Sequence, residues 1–157
     1  MNNLLSEKVI PFEGTSTFPI GKNLNEVRAF LKAASIPFNQ SIDPNKGCSP
    51  EIPWTYIELM DSITLCFAQD VLFQIVFENN YEGELINGIR LGMNLSDAIR
   101  IDPSIEYNDD EEDYISAQGF WLQKDLDTNT VNSITVYVKE ADTPDIFFKY
   151  EWVENYK

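Results

Sequence analysis

The stretches Gly21-Lys22-Asn23-Leu24-Asn25-Glu26-Val27 and Gly92-Met93-Asn94-Leu95-Ser96-Asp97-Ala98 share one pattern 71 positions apart, and each follows an apolar residue, Ile20 or Leu91. In both, an Asn precedes a segment of helical periodicity and an acid stands three residues later. The Asn side chain can accept from the N–H groups that open a helix, and the acid can reach back to the cap while sitting at the positive end of the helix dipole. The repetition predicts a duplicated unit. Looser echoes extend it: Ile36-Pro37-Phe38-Asn39 against Ile105-Glu106-Tyr107-Asn108, and Leu72-Phe73-Gln74-Ile75-Val76-Phe77 against Val131-Asn132-Ser133-Ile134-Thr135-Val136.

Working outward from the first copy, Leu24, Val27 and Leu31 recur at helical spacing and predict a helix over Leu24 to Ala34, limited by Pro37. Ser41 to Pro53, with three prolines and Gly47, reads as a loop that could face a partner. Trp54 to Leu59, Ser62 to Ala68 and Val71 to Glu78 read as three strands of a meander, the third setting Val71, Phe73, Ile75 and Phe77 on one face. The second copy predicts a helix over Leu95 to Ile101, ended by Pro103, then strands at Asp113 to Ser116, Gly119 to Lys124, Ser133 to Lys139 and Asp145 to Val153. The expected architecture is α+β: one domain over 1–157 made of two tandem units, 18–82 and 83–157, each laying one or two short helices on an antiparallel sheet.

Composition narrows the function classes. The chain has 157 residues, 43% of them hydrophobic, enough for a core without metal or disulfide support. Its first residues lack the basic and long apolar regions of a secretion signal, and no apolar run reaches the roughly 18 residues of a spanning helix, so the expected place is the cytosol. Cys48 and Cys66 have no zinc-site spacing, and Cys66 reads as a strand residue. With no histidine there is no Ser-His-Asp or Cys-His pair; paired carboxylates remain possible, but acids are too numerous to single out a pair. No cofactor is expected.

Eleven Lys and Arg against 26 Asp and Glu leave a net charge of −15, which repels nucleic acid and anionic lipid and attracts a basic protein. The excess is uneven, −4 over residues 1–80 and −11 over 81–157. Its densest part is Asp102, Glu106, Asp109, Asp110, Glu111, Glu112 and Asp113, seven acids without a base. That run admits three readings: a solvated loop, an electrostatic docking patch, or an oxygen-ligand metal site. Tyr107 and Tyr114 flank it and would place aromatic anchors beside the charge. Asp125-Leu126-Asp127-Thr128-Asn129-Thr130 begins like a calcium loop, but Thr130 and Val136 stand where the glycine and the bidentate acid belong, so it reads as a hairpin turn.

An apolar residue, then Gly-x-Asn-Leu-x-acid, a short helix, and strands ending in Ile-x-Val form an order that resembles the helix-plus-sheet module of the outer-membrane assembly lipoprotein BamE and its doubled form in β-lactamase inhibitory protein. It also resembles the immunity proteins encoded beside contact-dependent growth inhibition toxins. The resemblance implies a monomeric cytoplasmic inhibitor, not an enzyme, that binds a cognate basic toxin, a nuclease by preference, and occludes its substrate groove. On that reading Asp102, Glu106, Tyr107, Asp109, Asp110, Glu111, Glu112, Asp113 and Tyr114 face the partner. The alternatives are a carboxylate-based or metal-dependent hydrolase and a non-catalytic structural or adaptor module.

Overall fold

The computed structural model describes residues 3–43 and 52–157, so Cys48 and the middle of the expected Ser41–Pro53 loop lie outside the described residues. Among the described residues eight antiparallel strands form one sheet: β1 (Phe38–Asp43), β2 (Trp54–Leu59), β3 (Ile63–Ala68), β4 (Val71–Glu78), β5 (Glu106–Asn108), β6 (Asp113–Ser116), β7 (Phe120–Lys124) and β8 (Val131–Tyr137). Their order is β1-β2-β3-β4-β8-β7-β6-β5, two four-strand meanders meeting along β4 and β8. Two helices, α1 (Leu24–Ala33) and α2 (Leu95–Ile101), lie on the sheet, and a four-residue helix, α3 (Pro144–Phe147), sits near the C-terminus. The α+β class is therefore as the sequence implies. β1 and β5 are additions: Ser41 belongs to β1 rather than to the loop, and Glu106 and Tyr107 are strand residues.

Both helices begin by the same device. Gly21 and Gly92 take φ of 96° and 84°, a turn that needs no Cβ, and their N–H groups donate at 2.8 Å to the carbonyls of Leu72 and Val131, at the starts of β4 and β8. Leu72 and Val131 return the bond to the carbonyls of Lys22 and Met93. Asn23 and Asn94 then cap, accepting from the N–H of Asn25 at 2.8 Å and Ser96 at 2.9 Å. The expected reach-back of the acid fails at Asp97, whose carboxylate instead takes Arg100 at 2.9 Å.

The helix-side core is built from Leu24, Val27 and Leu31 of α1 and Leu95 and Ala98 of α2 against Leu65, Phe67, Leu72, Ile75, Phe77, Phe120, Leu122, Ile134 and Val136. Each fully buried aliphatic side chain stabilises by roughly 1.5–3 kcal/mol, well above the few tenths at stake in helix propensity. The opposite face carries a second cluster, in which Cys66, Ala68, Val71 and Phe73 meet Val138, Phe147, Tyr150, Trp152 and Val153.

The split between faces corrects the reading of β4. The register shifts between Cys66 and Phe67, where Cys66 pairs with Gln74 but Phe67 with Leu72. Phe73 is the extra residue, so alternation breaks and Val71 and Phe73 fall on the face opposite Ile75 and Phe77. A matching shift lies between Gln123 and Lys124, where Gln123 pairs with Ser133 and Lys124 with Val131. There the extra residue is Asn132, exposed like Gln123. One half of this face is apolar and must be covered; the corresponding positions in the other half are polar.

The chain's last twenty residues supply the cover, and they are helical where a strand from Asp145 to Val153 was expected. Pro144 opens α3 at a helix N-terminus, and a 3-10 turn over Glu151–Tyr156 follows. Phe147, Tyr150 and Val153 recur every three residues and point inward, while Ile146 and Phe148 are exposed. The Trp152 ring stacks on Phe147 with centroids 5.5 Å apart, and its indole N–H donates to the Phe147 carbonyl at 2.8 Å.

Candidate protein-binding face

β5 and β6 form the sheet edge of the second half, with Tyr107 directly opposite Tyr114 and Asn108 opposite Asp113. Asp109 to Glu112 form the connecting loop, whose conformation is held by Asn108 Oδ1 accepting from the Glu111 N–H at 3.0 Å, with Glu112 in a left-handed conformation at φ 56°. All four loop acids are exposed, as is Glu106, and among the described residues none of the five takes part in an ion pair.

Two acids of the run are not on this surface. Asp102 is 1% exposed and closes α2 onto the β6–β7 turn: its carboxylate accepts from the Ser104 N–H at 3.0 Å, the Ser104 hydroxyl at 2.6 Å and the Ser116 hydroxyl. Burial opposes its ionisation, but the two hydroxyls and the N–H outweigh it and hold the carboxyl below its ordinary value. Asp113 is 8% exposed, and its Oδ1 is buried without a hydrogen-bond partner. Burial raises its pKa against the amide of Gln123, and the neighbouring charge of Glu112 raises it further. Neither carboxylate is accessible to a docking protein. The accessible set is Glu106, Tyr107, Asp109, Asp110, Glu111 and Glu112, with Tyr114 half-buried.

The tyrosine rings tilt together at 52° with centroids 5.1 Å apart, and Lys124 Nζ lies 5.8 Å over the Tyr114 ring. Beside them opens a cleft of about 450 Å³, lined by Tyr107, Glu112, Tyr114, Gln123, Lys124 and Leu126. Sequence reading missed Lys124 and Leu126. Two signals were present: Lys124 is the single base between Arg100 and Lys139, and Leu126 is a lone apolar residue between two acids. At 86% exposure Leu126 is the most exposed large apolar side chain among the described residues. It rides on the expected hairpin turn, where Asp125 Oδ1 accepts from the N–H groups of Asp127 at 2.9 Å and Thr128 at 3.0 Å.

Elsewhere, a groove of about 620 Å³ between the end of α1 and the N-terminal segment is walled by Leu4, Phe30, Ala34, Ile36 and Met60 among others, and among the described residues no titratable side chain lines it. Among the described residues no group of three or more Cys, Asp or Glu is placed to hold a metal ion, and no helix is long and apolar enough to cross a membrane. No family model, curated protein or solved structure matches the chain.

Proposed function

We propose that this chain is an acidic, non-catalytic binding protein that neutralises a basic protein, of the kind an immunity protein supplies against a nuclease toxin. It does so as a cytoplasmic monomer, laying the β5–β6 corner over the cationic groove in which the toxin would hold nucleic acid. The observation that carries the reading is Tyr107, half-exposed and leaning on Tyr114 beside five exposed acids that take part in no ion pair among the described residues. Aromatic anchors set the lifetime of a complex, and unpaired charge sets its rate of encounter. The test is binding of the intact chain to a cognate basic toxin at two ionic strengths, with protection of the toxin's nucleic-acid substrate. Replacing Asp109, Asp110, Glu111 and Glu112 by Asn or Gln should slow association and flatten its salt dependence. An unchanged rate and salt slope would put the interface elsewhere.

The same proposal reads the chain as two tandem units, 18–82 and 83–157. Its support is the shared Gly-x-Asn turn, the shared strand order within each meander, and the matching register shifts in β3/β4 and β7/β8. On this reading the ancestral unit built half a sheet, and divergence gave one unit the apolar face under the C-terminal cover and the other the acidic corner.

A further inference from the structure

The cleft at the β5–β6 corner combines what binds a planar cation. A tyrosine face attracts a positive charge within about 6 Å of its centroid, and a guanidinium, weakly hydrated and flat, stacks there better than an ammonium. The protein already uses this attraction internally: Lys124 Nζ sits 5.8 Å over Tyr114 and donates to Asn129 Oδ1 at 3.1 Å. The Tyr107 ring, 52% exposed, has no cation over it among the described residues, and Glu112 lines the same cleft. Leu126 at the rim supplies apolar surface of the kind an alkyl stem covers.

We propose that this cleft takes an arginine side chain of the basic partner, the guanidinium stacked on Tyr107 and paired with the Glu112 carboxylate; the proposal rests on the binding function above. Lys124 then has a defined part. It holds the second ring and repels a second cation, so arginine binds against an internal competitor.

The experiment is a two-dimensional NMR titration of the intact chain with N-acetyl-arginine amide and, separately, with N-acetyl-citrulline amide, which has nearly the same shape without the charge. The ring signals of Tyr107 and Tyr114 and the backbone of Glu112 should move with arginine and stay still with citrulline. Tyr107→Leu or Glu112→Gln should weaken arginine binding about two- to fivefold, and Lys124→Met should strengthen it by a similar factor. A gain in the Lys124 variant cannot come from loss of fold. Equal shifts with both probes, or arginine shifts centred away from these residues, overturn the cleft. Because neither probe needs a partner protein, the two readings fail separately. Salt-sensitive capture of a basic protein by a chain whose cleft ignores arginine overturns the cleft and leaves the function standing on charge. An arginine-selective cleft in a chain that captures no basic protein supports the cleft and removes the function.

Discussion

Val76 faces Thr135 across β4 and β8, and the register reads alike in both directions from that pair: Gln74 meets Tyr137 on one side and Glu78 meets Ser133 on the other. Gln74 and Ser133 also directly follow the extra residues Phe73 and Asn132 at the register shifts on the outer sides of the same strands, where they pair with Cys66 and Gln123. A single pairing thus sits at the centre of a strand order that runs outward in the same sequence on both sides. What differs between the sides is side-chain chemistry: Cys66 and Phe73 at one register shift stand where Gln123 and Asn132 stand at the other.

The helix caps should be interchangeable in strength. Asn23 and Asn94 each accept one N–H bond at the second helical position, and both side chains are partly or fully open to water. Ala at either position should cost about 0.5–2 kcal/mol, and the two losses should add in the double variant, since the caps share no partner. Chemical denaturation of the three variants checks this. A cost confined to one Asn would show that the two turns do not do equal work.

The glycines two residues earlier should not be interchangeable. Both adopt a positive φ, so Ala at either costs on the order of 1–2 kcal/mol in backbone strain. A Cβ on Gly92 would meet open space, whereas one on Gly21 would come 2.5 Å from the Tyr156 ring. Tyr156 cannot simply move away: its hydroxyl donates to Glu140 at 3.0 Å, and burial together with Glu140 pushes its phenol up to about 12, keeping the proton in place. Gly21→Ala should therefore lower the unfolding midpoint distinctly more than Gly92→Ala. Truncating Tyr156 to Leu in the Gly21→Ala background should recover part of the gap.

These contrasts mark what the sequence could and could not reveal. Strands β2, β4 and β6 and helix α2 have the bounds that alternation and capping predict, because turn residues or prolines mark their ends. The bulge at Phe73 was hidden, since Val71, Phe73, Ile75 and Phe77 alternate without a break in the chain. Asp145 to Val153 alternates equally well, but its buried residues Phe147, Tyr150, Trp152 and Val153 do not alternate, and Thr143-Pro144-Asp145 is a helix-opening signal that the aromatic pattern obscured. At the candidate face, counting acids found the exposed loop yet could not tell Asp102 and Asp113 from their neighbours. Asp102-Pro103-Ser104 does carry an Asx-turn signature, which marks a carboxylate occupied by its own backbone.

The C-terminal cover should be integral to stability. Trp152 is 3% exposed and touches Phe73, Phe147, Tyr150 and Tyr156 by ring contacts. Trp152→Ala should cost about 3–5 kcal/mol, through lost contacts and the cavity left over Phe73. Binding of an apolar fluorophore should rise as the Cys66–Phe73 face opens. A cost below about 1 kcal/mol would mean the cover is only loosely attached.

The two buried aspartates should respond to pH and to amidation with opposite signs. Asp102 is held below the ordinary carboxylate value of 3.8, so the folded chain binds its proton less readily than the unfolded one. Its contribution is complete above about 4 and is lost as pH falls through the lower folded value. Asp102→Asn leaves an amide against two hydroxyls and an N–H arranged for an anion, and should cost roughly 1–3 kcal/mol near neutral pH, less in acid. Asp113 is raised above 3.8, so its favourable state in the fold is the protonated one, and stability is lost as pH rises through the folded value. Charge at this position faces burial and a buried, unpartnered oxygen, and Asp113→Asn removes the charge while keeping the side chain's shape. That variant should equal or exceed the parent in stability at pH 7, with the advantage vanishing below about 3.8, where both chains are neutral at this position. Denaturation curves for both variants at pH 7 and in mild acid decide the matter, and a shared sign at pH 7 would contradict the assignment of at least one of the two.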